Sequence, residues 1–195
     1  MSRLYRISAF AIATIAALST QELAHAAGDT PVSFPPSVLL SRESLLQTDQ
    51  ATLEELYRSA GAGSLPFGPL DGLATASPGT RRGMRQSKRI GILWKGKEFP
   101  GNGTMVNRLA FGMKAVHADM YYGESFLDGR PSIVLDYANT SRLFGNVRDE
   151  MRELAPGVYL GMTYIRKCPG PKLVMFYVVQ TPPCCGNDIA TGKRR

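Results

Sequence analysis

Histidine is nearly missing: the chain has two, His25 and His117, and neither sits in a metal-ligand spacing with cysteine or a carboxylate. A metal centre is therefore not expected. No G-x-S-x-G elbow, no H-E-x-x-H pair and no phosphate-binding loop occurs, so the common hydrolase, zinc-protease and nucleotide-binding chemistries lack the residues they need. No cofactor is implied. There is no internal repeat and no nucleic-acid-binding motif, which leaves the positive charge without a nucleic-acid reading. Long apolar runs are missing too: the longest, residues 7–18, falls short of the roughly 20 residues a spanning helix needs.

That run belongs to a different pattern. Arg3 and Arg6 precede it, and Ala24-His25-Ala26 follows after a polar stretch, the three-part layout of a secretory signal with a small-residue cleavage site. Residues 1–26 are read as a signal peptide cleaved before Ala27, giving a periplasmic or secreted protein with no stable membrane span. No cysteine follows the run, so attachment through a lipidated cysteine is not available. The formal charge of +7 stays strongly positive after cleavage, and a basic exported protein is drawn weakly to anionic surfaces, including membranes. Much of the excess lies in residues 81–89, which read as a solvated connector or as a binding patch.

Three cysteines in an oxidising compartment invite a disulfide. Cys168 precedes Pro169-Gly170-Pro171, and Cys184 and Cys185 follow the apolar run 173–181. If that run is a strand, its ends are roughly 30 Å apart, far beyond the about 7 Å that linked alpha carbons allow. A vicinal Cys184–Cys185 pair or free thiols is expected instead.

From residue 27 the prolines Pro31, Pro35 and Pro36 exclude regular structure. Residues 41–59 carry Leu45, Leu46, Leu53, Leu56 and Tyr57 in a helical rhythm. Residues 64–80 hold so many prolines and glycines that they read as a long connector over a barrel mouth. Beyond Arg89, short runs rich in Val, Ile, Tyr and Phe alternate with turn residues: 90–94, 115–122, 132–137, 158–166 and 173–180. Asp128-Gly129-Arg130-Pro131 and Pro169-Gly170-Pro171 mark hairpin ends. Residues 141–154 space Leu143, Phe144, Val147, Met151 and Leu154 as a short helix or a tight turn would. The fold class is mainly β with helical additions. A signal peptide (1–26), an N-terminal helix with a Pro/Gly-rich connector (27–89), an antiparallel β-barrel (90–183) and a tail (184–195) make up the chain. A barrel removes exposed sheet edges; an open sheet covered by the helix is the alternative.

Asp136 and Tyr137 end an apolar run, so one of them points inward and needs a partner. Arg148 and Arg152, in the polar cluster 148–153, are the nearest donors along the chain and could hold a carboxylate through their forks; surface ion pairing accounts for the same cluster. His117, Asp136, Tyr137 and Tyr164 are the groups available for proton transfer.

Residues 91–99, Gly91-Ile92-Leu93-Trp94-Lys95-Gly96-Lys97-Glu98-Phe99, resemble the W-x-G-K-x-F stretch of the bacterial GXWXG family, although Gly91 and Trp94 are separated by two residues instead of one. The glycine–tryptophan start is also similar to that of lipocalins and other calycins. The calycin resemblance implies a calycin-like barrel holding a small apolar ligand, with Trp94 at its wall; the GXWXG resemblance implies no activity. The expected function is binding of a small hydrophobic or amphipathic acid by Trp94, Asp136, Tyr137, Arg148, Arg152 and Tyr164. A metal-independent isomerase, cyclase or hydrolase-like enzyme, or a structural envelope protein, is the alternative.

Overall fold

A computed structural model describes residues 41–182; the expected signal peptide and the Cys184–Cys185 pair lie outside them. Two helices come first, α1 (Arg42–Gln47) and α2 (Gln50–Ser59). The single expected helix is broken because Asp49 caps a new one, its carboxylate accepting from the backbone and hydroxyl of Thr52. Then follow β1 (Gly68–Thr75), α3 (Arg81–Leu93), β2 (Trp94–Phe99), β3 (Thr104–Leu109), β4 (Lys114–Glu124), β5 (Pro131–Asp136), β6 (Val147–Ala155), β7 (Val158–Ile165) and β8 (Lys172–Gln180). Each strand pairs with its neighbour in sequence and β1 also pairs antiparallel with β8, which closes an eight-stranded barrel with no free edge.

Four stretches differ from the sequence expectation. Residues 68–75 are a strand despite Gly68, Pro69 and Gly72, because Gly72 is a packing residue: a Cβ there would lie 2.4 Å from the Trp94 ring. Residues 81–93 are one helix, not a connector followed by a strand. Thr80 caps it by accepting from the Gly83 backbone, and long basic side chains favour a helix whose outer face is wet. Residues 147–155 are a strand, not a helix. Its charged residues escaped an alternation reading because Arg148, Glu150 and Arg152 are covered on the outer face, whereas Val147, Asp149 and Met151 face the interior. Residues 104–109 form a strand, where the sequence pattern marks none. Both expected hairpin ends join antiparallel neighbours: Asp128–Pro131 runs from the connection 125–130 into the first residue of β5, and Pro169–Pro171 closes the connection 166–171 before β8.

Two apolar layers hold this frame. Outside the barrel, α1 and α2 pack Leu45, Leu53 and Tyr57 against Leu160, Phe176 and Val178 of β7 and β8. Inside, Leu70, Phe99, Met105, Ile133 and Met151 fill one end of the barrel, and each such burial contributes roughly 1.5–3 kcal/mol. The other end keeps a cavity.

Candidate functional site

The cavity has a volume of about 80 Å³. Its walls are mainly apolar, with Ile90, Val116, Phe144, Val147, Ile165 and Met175 among them, and its polar groups are Lys97, Asn107, Tyr137, Asp149, Thr163 and Tyr177. These polar groups come from six different strands or their ends, so the site exists only once the barrel has closed.

Lys97 reaches the interior through a β-bulge. The register between β2 and β3 shifts between Trp94 and Gly96, which absorbs one residue and lets Trp94, Lys97 and Phe99 all turn inward despite the odd spacing. Gly96 makes this possible: it has φ +131°, and a Cβ there would meet the Leu70 carbonyl at 2.1 Å. The W-x-G-K-x-F stretch is therefore a bulge that plants a lysine among aromatic rings. A second bulge, in β4, puts Val116 at φ +61°, a costly conformation for a β-branched residue. Its carbonyl accepts from Asn107 Nδ2 at 3.0 Å and its side chain lines the cavity.

Lys97 is 2% exposed. Its ammonium donates to Asp149 Oδ2 at 2.8 Å, Tyr137 Oη at 3.1 Å and Asn107 Oδ1 at 3.3 Å, which uses all three of its donors. Asp149 also accepts from Tyr137 Oη at 3.0 Å and from Thr163 Oγ1 at 2.6 Å. Trp94 Nε1 donates to Asn107 Oδ1 at 3.0 Å. The ammonium lies 5.0 Å from the centre of the Tyr177 ring and 5.8 Å from those of Trp94 and Tyr137, close enough for the rings to favour the cation. Burial pulls the Lys97 ammonium down, but the Asp149 charge and Tyr137 outweigh it and hold the group above the ordinary lysine value. Burial, and then the Asp149 charge, push the Tyr137 phenol up to about 12. The centre is a buried Lys97–Asp149 ion pair with the Tyr137 phenol hydrogen-bonded to both partners. Tyr177 differs from the rest: its hydroxyl is buried with no hydrogen-bond partner among the described residues.

Of the residues expected at the site, Trp94 and Tyr137 line the cavity. The other four lie on the outside of the barrel. Asp136 faces out and is held by Arg166, at 2.5 and 3.0 Å, and by the Tyr121 hydroxyl at 2.9 Å; burial raises its pKa, and Arg166, the Ala138 backbone N–H and the Tyr121 hydroxyl together outweigh this and bring it below the usual value. Arg148 pairs with Glu150 at 3.2 Å and lies over the Phe126 ring. Arg152 binds Asp128 behind α2. Tyr164 packs edge-on against Phe126 in the outer layer. Strand alternation explains the exchange: with Tyr137 and Asp149 inward, Asp136, Arg148 and Arg152 must face out. The expected contact of Asp136 or Tyr137 with these arginines is replaced by Asp136–Arg166 and Tyr137–Lys97. His117 is exposed, and Cys168 is exposed in the turn before β8. Among the described residues no cluster of His, Cys, Asp and Glu is placed to hold a metal.

Sequence reasoning missed Lys97, Asn107, Asp149, Thr163 and Tyr177. Lys97 stood in the resemblance motif, and only the bulge tells which way it points.

No family model matches the sequence, and no curated protein matches it. Among solved structures the chain is similar to a protein from Thermomonospora curvata known from its crystal structure, at 16% identity and a TM-score of 0.47, over 69% of this chain and 89% of that one.

Proposed function

We propose that this chain is an exported binding protein whose barrel takes a small, uncharged amphipathic molecule. The observation that carries this reading is the cavity, apolar on its walls with the Lys97–Asp149–Tyr137 centre among them, since concave apolar sites with a few fixed polar groups are the usual form of a ligand site. At roughly 10–15 Å³ for each water-sized group, the volume suits a short-chain or single-ring molecule. An acid fits less well. Lys97 is already neutralised by Asp149, the arginines expected to hold a carboxylate lie outside, and burying an unpaired charge is costly.

A catalytic reading has less support. Tyr137 donates its O–H hydrogen bond to Asp149 and accepts from Lys97 and Asn107, so neither its hydroxyl hydrogen nor its lone pairs are idle.

Trp94 is the only tryptophan and lines the cavity, so its emission should report occupancy. Titration with a neutral aliphatic alcohol is expected to change that emission, and the carboxylate of the same chain length to bind about tenfold more weakly or worse, a difference of about 1.4 kcal/mol. Equal affinity for the two, or no change with any neutral amphiphile, would sink the reading. Export rests on residues 1–26 alone. N-terminal sequencing of the exported protein should begin at Ala27 or within a residue or two, and a retained Met1 would refute it.

A further inference from the structure

We propose that the cavity end of the barrel docks on an anionic lipid bilayer. In a closed meander of antiparallel strands, successive connections fall at opposite ends. Four connections therefore share the cavity end: 76–93, which contains α3, 110–113, 137–146 and 166–171. None of them contains an Asp or Glu. They present the exposed cations Arg81, Arg85, Lys88, Arg89, Arg142 and Lys167. The connections between strands at the opposite end, 100–103, 125–130 and 156–157, hold Arg130 and Asp128 and no other charge.

Apolar side chains stand among those cations. Phe111 is 96% exposed at φ +59°. It sits in a turn closed by hydrogen bonds from Leu109 N to the Met113 carbonyl and from Met113 N to the Ala110 carbonyl. Leu143 and Ile92 are each 67% exposed. A phenylalanine held outside the core in a left-handed conformation costs folding free energy and gains nothing from packing, which fits a contact made outside the molecule. Exposed apolar groups alone do not choose the end, since Phe67 is 78% exposed at the other. Charge chooses it: basic residues interspersed with apolar ones are the pattern that binds anionic headgroups and enters the interfacial layer. Among the described residues no helix is long and apolar enough to cross a membrane, so the contact is peripheral. That a ligand passes from the bilayer into the cavity rests on the proposed function; the docking itself does not.

Vesicle co-sedimentation tests the docking. The exported form should sediment with vesicles of equal parts phosphatidylcholine and phosphatidylglycerol, stay in solution with phosphatidylcholine alone, and be released by high salt. Phe111→Ser with Leu143→Ser should lower the bound fraction about fivefold or more, as should Lys88→Gln with Arg89→Gln, while Phe67→Ser leaves it unchanged. Thermal melting checks that each variant is folded, and all variants share one N-terminus. Two results would overturn the proposal: no preference for the anionic vesicles, or a loss with Phe67→Ser equal to that with the Phe111 and Leu143 pair. Binding abolished by the charge variant but untouched by the apolar one would assign the surface to an acidic polymer or protein and also overturn it. Trp94 titration on the same samples is read separately, so failure to dock and failure to bind ligand are distinguishable.

Discussion

Replacing Lys97 with methionine is expected to cost about 3–5 kcal/mol of stability, the usual penalty for removing one partner of a buried ion pair. The reason lies in what is left behind. Asp149 is 4% exposed and would keep Tyr137 and Thr163 as donors but lose its counter-charge. Asp149→Leu should be comparably damaging, because it leaves the ammonium among rings and an amide. The double variant Lys97→Met with Asp149→Leu should recover much of the loss, since replacing both partners of a buried pair with apolar groups is often near neutral. Urea unfolding of the four proteins gives the cycle. Additive losses would mean that the two groups are not coupled and that the central ion pair is misassigned. Even where the double variant is stable it should discriminate a neutral alcohol from a hydrocarbon of the same length less well than the wild type, because the ion pair is gone and only the neutral polar groups of the lining remain.

Arg152→Met should be at least as damaging, and for a different reason. Arg152 is fully buried, and its guanidinium uses all five of its N–H groups. Nε donates to the Pro131 carbonyl at 3.1 Å; Nη1 donates to the Tyr57 carbonyl at 2.9 Å and Asp128 Oδ2 at 2.8 Å; Nη2 donates to Asp128 Oδ1 at 2.7 Å and the Arg130 carbonyl at 3.1 Å. It also lies 4.4 Å over the Tyr57 ring. One side chain thereby ties α2 to the turn between β4 and β5. Methionine would strand a carboxylate and three carbonyls, with a loss of about 3–5 kcal/mol from the ion pair alone. Arg152→Lys should rescue little, because an ammonium cannot reproduce the fork. The folded fraction should still bind ligand normally, since the brace stands on the outer face. If denaturant midpoints fall by less than about 1 kcal/mol equivalent, or if ligand affinity falls while stability holds, the assignment of Arg152 as a brace is wrong.

These two residues show how far the sequence could be read. Alternation in 115–122, 132–137, 158–166 and 173–180 is plain because β-branched and aromatic residues dominate those strands, and the turns at Asp128–Gly129 and Pro169–Pro171 are explicit. The barrel followed from them. Strand β6 was hidden because its outer face carries buried charge: Arg152 and Glu150 read as a solvated helix face until α2 and the turn between β4 and β5 are known to cover them. Strand β1 was hidden because Gly72 looks like a breaker when it is a seat for Trp94. The site was legible in part for the same kind of reason. Tyr137 stood out as a polar end to an apolar run, whereas Lys97 lies three residues after Trp94, a spacing that puts the two on opposite faces of a regular strand. Only a bulge at Gly96 brings them together. Asp149 was one carboxylate among several until strand phase singled it out.

The central claim, that a ligand in the cavity meets the Lys97–Asp149–Tyr137 centre, is tested most directly by nuclear magnetic resonance of the lysine ammonium groups. Buried and hydrogen-bonded to three acceptors, the Lys97 ammonium should give a slowly exchanging signal at neutral pH, absent in Lys97→Met, and that signal should move on saturation with a neutral amphiphile that also changes Trp94 emission. A Lys97 signal that stays fixed under a saturating ligand, or a ligand that binds Lys97→Met with Asp149→Leu as tightly as the wild type, would contradict the account.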